Sequence, residues 1–111
     1  MSSGGLTPRA EGFNIASPGN NTNLLTSSIT PKEGCALRVT VCLATTSVFN
    51  VTITKGATTF TVSLNSGTAL TATFLYTFVF GASTSNAYNF QVATTGIIQI
   101  LQVDEVSEGV I

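Results

Sequence analysis

LRVTVCLATTSVFNVTITKGATTFTVSL, residues 37–64, is the stretch on which the fold turns. Leu37, Val39, Val41 and Leu43 alternate with Arg38, Thr40 and Cys42. Phe49, Val51 and Ile53 alternate with Asn50, Thr52 and Thr54, and Phe60, Val62 and Leu64 alternate with Thr61 and Ser63. Successive side chains of an extended chain point to opposite faces, so each run predicts a strand with one buried side. Lys55-Gly56 and Asn65-Ser66-Gly67 read as the turns between them.

The pattern continues outward in both directions. Residues 69–80 predict the longest strand, with Leu70, Ala72, Phe74, Tyr76, Phe78 and Phe80 on one face and Leu75 and Val79 on the other. A loop of small polar residues follows, then Tyr88, Phe90 and Val92 alternate again. After Thr94-Thr95-Gly96 comes a last strand, 97–103, with Ile98 and Ile100 on one face and Ile97, Leu101 and Val103 with Gln99 on the other. Upstream, Phe13 and Ile15 mark one short strand and residues 23–29 another, separated by the turn Ser17-Pro18-Gly19-Asn20-Asn21. About eight short strands with frequent turns and no helical period predict an all-β antiparallel sandwich, jelly-roll-like, with a seven-stranded immunoglobulin-like sandwich as the alternative. The expected organisation is an extended N-terminal arm over 1–11, a β-sandwich domain over 12–106 and a tail over 107–111.

Composition narrows the function. Only 8% of the 111 residues are charged and the formal net charge is −1, whereas about a quarter of an ordinary soluble domain is charged. Such a neutral, hydroxyl-rich exterior predicts a protein packed against copies of itself or against a larger shell, because a solitary domain relies on mixed surface charge for solubility. Four scattered basic residues, Arg9, Lys32, Arg38 and Lys55, predict no nucleic-acid partner. No apolar run approaches the roughly 18 residues of a spanning helix, so no membrane partner is expected. Met1-Ser2-Ser3-Gly4-Gly5-Leu6 has no basic segment followed by an apolar one, which predicts no secretory signal peptide.

Reactive chemistry finds few candidates. Histidine is absent, which removes the usual base of Ser-His and Cys-His nucleophiles. Asp104 and Glu105 are adjacent and therefore point to opposite faces of a strand. Cys35 and Cys42 lie on one strand, about 23 Å apart by extended spacing, too far for a disulfide, which needs about 7 Å or less. No catalytic residue, cofactor or metal site is expected. The aromatic row Phe74, Tyr76, Phe78 and Phe80, with Tyr88 and Phe90, reads as core before it reads as a sugar platform, because it continues Leu70 and Ala72 at strand spacing.

Partner contact is expected instead at Leu75, Val79, Ile97, Leu101 and Val103, apolar residues on faces that one sandwich leaves partly wet, with Leu6 and Arg9 contributed by the arm. Exposed Thr, Ser and Asn add hydrogen bonds at such a contact without the desolvation cost of a charge.

Residues 87–92, Ala87-Tyr88-Asn89-Phe90-Gln91-Val92, and 96–106, Gly96-Ile97-Ile98-Gln99-Ile100-Leu101-Gln102-Val103-Asp104-Glu105-Val106, resemble the C-terminal strands of small virion proteins of tailed bacteriophages. The Thr-rich strands of 37–80 are similar in style. That resemblance implies a non-enzymatic subunit, often a trimer, that decorates or cements a capsid or forms part of a tail or head fibre. It also implies a virion location after assembly in the host cytoplasm, partners that are copies of itself and a capsid or tail protein, and an arm that touches the shell. Two other expectations stand beside it: a carbohydrate- or cell-surface-binding sandwich, and a pilus or surface-layer subunit that assembles by donating a strand to a neighbour's sheet.

Overall fold

The computed structural model describes residues 6–81 and 86–107. Expectations for 1–5 of the arm, for 82–85 and for 108–111 of the tail lie outside the described residues. Eight strands form: β1 (Leu6–Ser17), β2 (Thr22–Asn23), β3 (Cys35–Leu43), β4 (Phe49–Lys55), β5 (Thr58–Ser63), β6 (Leu75–Gly81), β7 (Asn86–Val92) and β8 (Gly96–Ser107). They make two four-stranded sheets, sheet A in the order β1-β8-β3-β6 and sheet B in the order β2-β7-β4-β5. Every pairing is antiparallel.

The order has a simple origin. β4 pairs with β5, β3 with β6, β2 with β7 and β1 with β8. The chain is thus doubled back on itself at the β4–β5 hairpin, and the doubled ribbon wraps into two facing sheets, which is the jelly roll. The hairpin closes on Lys55 opposite Thr58, with Gly56 at φ 61. A two-residue turn needs that positive φ to match the twist of its strands. At the crossing from β1 to β2, Gly19 has φ 69, and a Cβ there would lie 2.5 Å from the Thr95 backbone nitrogen. Only glycine fits that approach.

The core lies between the sheets. Leu37, Val39, Val41 and Leu43 of β3 face Phe49 and Val51 of β4 and Tyr88, Phe90 and Val92 of β7, joined by Ile98, Leu101 and Val103 of β8. The Phe49 and Phe90 rings stack at 5.7 Å and 3°, with Phe78 of β6 6.4 Å from Phe49 on its own side. Each such ring contributes roughly 1.5–3 kcal/mol by leaving water. The aromatic row Tyr76, Phe78, Phe80, Tyr88 and Phe90 belongs to this core or packs against it.

Three expectations change. From Leu6 onward the arm is strand: β1 pairs with β8 from Leu6 opposite Val106 to Ser17 opposite Gly96. Residues 69–80 are not one strand. Leu70 makes an isolated bridge with Ser47, Thr73 takes φ 68, and β6 begins only at Leu75. Local bonds cause the break: the Thr71 N–H donates to the Tyr76 hydroxyl, the Ala72 N–H to Thr46 Oγ1 and the Phe74 N–H to the Thr71 carbonyl. Phe74 therefore leaves the aromatic row for the surface. Finally, β2 covers only Thr22–Asn23, after which residues 25–28 bend away and Ile29 returns to bridge Tyr88. The buried Asn89 side chain holds that bend, accepting from the Leu25 N–H and donating to the Leu25 carbonyl and to Ser28 Oγ.

Candidate interaction surface

Parity along β8 decides which side chains reach the outside. Cys42 lies opposite Ile100 but Leu43 lies opposite Ile98, so Gln99 is an extra residue on β8. A bulge of one residue reverses the alternation beyond it. Ile98 faces inward before the bulge, and Leu101 and Val103 face inward after it, at 2% and 0% exposed. β1 stays in step, with Phe13 opposite Ile100, Ile15 opposite Ile98 and Asn14 between them at φ 56. Leu101 and Val103, expected at a partner contact, are therefore core residues; strict alternation had put them with Ile97, and the bulge separates them.

The same bulge gathers a row on the outer face of sheet A. Phe13 of β1, Ile100 of β8, Cys42 of β3 and Leu75 of β6 are successive cross-strand neighbours. Four strands carry this row over about 15 Å. Phe13 is 62% exposed and Leu75 61%. Cys42 between them is buried, its thiol donating to Gln99 Oε1 at 3.2 Å. Ile97, opposite Ala16, exposes its side chain one step further along. Leu75 and Ile97, expected at a partner contact, are exposed on this face, with Phe13 and Ile100 beside them. The one local hint in the sequence was Asn14, an Asn that tolerates left-handed backbone and lets β1 follow the bulge.

Towards the other end the rows change chemistry. Next comes Glu11, Gln102, Thr40 and Thr77, then Pro8, Asp104, Arg38 and Val79, then Leu6, Val106, Ala36 and Gly81. Val79 and Leu6 are exposed, as expected, but lie beside the Asp104–Arg38 pair and apart from the apolar row. Arg38 Nη2 stands 3.1 Å from Asp104 Oδ2, and Gln102 Nε2 donates to the same carboxylate. Arg9, expected at a partner contact, is the extra residue of a second bulge between Pro8 and Ala10. Its guanidinium pairs within the chain with Glu105 at 2.5 Å and donates to the Thr30 carbonyl.

Charge gathers at that end, apart from Glu11 on β1. Lys32 and Glu33 precede β3, Lys55 ends β4, and Asp104 and Glu105 lie near the end of β8, all at one end of the sandwich; no charged residue occurs between Lys55 and Asp104. Burial opposes ionisation of Glu105, but the Lys32 N–H at 3.0 Å, the Arg9 guanidinium and the Lys32 charge outweigh it and hold the carboxyl below its usual range.

Cys35 and Cys42 are unpaired. Partial burial and the neighbouring Glu105 carboxylate push the Cys35 thiol up, away from a reactive thiolate. Among the described residues no three metal-ligating side chains gather. A recess of about 180 Å³ between β1 and Leu24, Leu25 and Thr26 is smaller than the roughly 300 Å³ at which small-molecule sites begin. Compared with protein-family models and with curated proteins, the chain matches none.

Proposed function

We propose that the protein is a non-enzymatic structural subunit that binds other protein subunits, copies of itself first, through the outer face of sheet A at the end away from Asp104 and Arg38. The row Phe13, Ile100, Cys42 and Leu75 carries the reading, with Ile97 beside it and Thr40 and Thr77 at its rim. Gln102, Thr40 and Thr77 border it, with one charge, Glu11, at the β1 side, the make-up of an apolar interface centre with a hydrogen-bonding border. A two-fold or ring contact centred on the row itself places no charged side chain at its middle. The setting is a virion shell or tail surface, as the resemblance of residues 87–106 implies.

Sedimentation of wild type and Leu75→Lys across a concentration series tests it. The weight-average mass of wild type is expected to rise with concentration and that of Leu75→Lys to stay lower, while the two melt alike, since Leu75 is on the surface. Identical mass distributions for the two proteins would overturn the proposal.

A further inference from the structure

We propose that β5 is a second, separate contact: the free edge of sheet B pairs antiparallel with the β5 of a second copy across a two-fold axis at Thr61. Among the described residues β5 stands at the end of sheet B, bonded to β4 on one side alone, and all six of its own residues are exposed. Its sequence, Thr58-Thr59-Phe60-Thr61-Val62-Ser63, has no charge, no proline and no bulge. Exposed edges are ordinarily protected by one of these devices.

The register says which backbone groups are free. The Leu64 N–H donates to the Phe49 carbonyl. Hydrogen-bonded pairs alternate along an antiparallel ladder, so Val62 opposite Val51, Phe60 opposite Ile53 and Thr58 opposite Lys55 are bonded pairs as well. The N–H and C=O of Thr59, Thr61 and Ser63 therefore point away from β4, out of the sheet edge. Two copies related by a two-fold at Thr61 place Thr61 opposite Thr61 and Thr59 opposite Ser63, and about six backbone hydrogen bonds satisfy every one of these groups.

Side chains choose the same register. Phe60 and Val62 share the face of Val51 and Ile53, the inner side of sheet B. Yet they are 53% and 45% exposed, while Tyr76, Phe78 and Phe80 of β6, the free edge of sheet A, pack against the core. Pairing at Thr61 sets Phe60 opposite Val62 of the second copy, twice, at the closer, non-hydrogen-bonded positions. The rest of the edge brings no like charges together, since Lys55 lies beyond the paired segment. The occupant is thus a second copy of this chain, and sheet B continues through the axis into its equivalent. Nothing in this contact involves the sheet A row.

The test uses charge at the axis. Thr61 is exposed, so Thr61→Lys and Thr61→Glu are expected to fold and melt as wild type does. Each alone brings like charges face to face at the axis and should lose the pair; an equal mixture should restore it as a heterodimer, seen by native mass spectrometry. In concentrated wild type, amide exchange should slow at Thr59, Thr61 and Ser63 by about tenfold or more and stay unchanged at Phe60 and Val62. Leu75→Lys should keep both signatures, which separates this contact from the one on sheet A. Retention of the pair by both single variants, no heterodimer in the mixture, or equal exchange at dilute and concentrated protein would each overturn the proposal.

Discussion

The two outer faces of the sandwich have the same geometry and opposite chemistry. Across sheet A run Phe13, Ile100, Cys42 and Leu75; across sheet B, at the same end, run Asn23, Gln91, Asn50 and Ser63. Sheet B pairs its amide donors within the chain, with Gln91 Nε2 donating to Asn23 Oδ1 at 2.8 Å and Asn50 Nδ2 to Asn21 Oδ1 at 3.2 Å, while Asn50 Oδ1 is buried without a partner. Sheet A leaves carbon in water. Neither row carries a charge, so low charge alone does not mark a contact surface. What marks it is apolar area on a face whose partner groups are not supplied by the same chain.

The difference rests on the Gln99 bulge, and adjacent residues give the largest way to break it. Leu101→Ala, inside, is expected to cost about 2–5 kcal/mol. Ile100→Ala, outside, is expected to cost under about 1 kcal/mol. Urea unfolding of the two variants measures both, and equal losses would mean that β8 alternates without a break.

Sheet B is sharpened by Asn89, whose side chain holds the bend of residues 25–28 beside β7. Asn89→Ala strips the Leu25 N–H and carbonyl of their partners and is expected to cost about 1–3 kcal/mol. Amide exchange should then rise at Leu25 before it rises at Phe90. No comparable side chain crosses the exposed row on sheet A, and Leu75→Ala should leave exchange in β3 unchanged.

How much of this could be read in advance follows from where alternation holds. It holds in β3, β4 and β7, and there Leu37 to Leu43, Phe49 to Ile53 and Tyr88 to Val92 predict strands and buried faces correctly. It fails in β8, because no residue type announces that Gln99 is extra and the register is a property of the pair, not of one strand. Phe60 and Val62 alternate as well as Val39 and Val41 do, yet one strand ends a sheet and the other lies within it. Edge position depends on which strands meet, which the local pattern does not contain. Of the expected contact residues, Leu75 falls in the apolar row and Ile97 beside it, Val79 and Leu6 are exposed elsewhere on the same face, and Leu101, Val103 and Arg9 are engaged within the chain. Phe13 went unread because its outward turn depends on Asn14 following β8.

At the charged end, pH offers a smaller effect. The Glu105 carboxyl is held below its usual range in the folded chain. Its stabilising contribution is therefore complete above the ordinary carboxylate value and is lost as pH falls through the lower folded value. Wild type should lose stability on acidification through that window more steeply than Glu105→Gln, followed by urea midpoints at a series of acidic pH values. Parallel curves would show that the pairing with Arg9 and the Lys32 N–H contributes nothing. Neither outer row should respond, because no titratable carboxyl or amine lies in it.

The smallest effect on folding belongs to the change that makes the two faces alike. Phe13→Thr with Leu75→Thr gives the sheet A row the hydroxyl chemistry of sheet B. Both side chains are exposed by about three-fifths, so little core packing is lost, and threonine suits a strand surface. The melt is expected to shift by no more than about 0.5 kcal/mol in equivalent stability. Association through sheet A should nonetheless disappear, because Thr in these positions has water for a partner and gains little from a second subunit. Light scattering of the double variant beside wild type reads this as a fall to the pair joined through β5. If the double variant associates as wild type does, the carbon on sheet A is an ordinary scatter of exposed apolar residues, and the two faces differ in composition without differing in role.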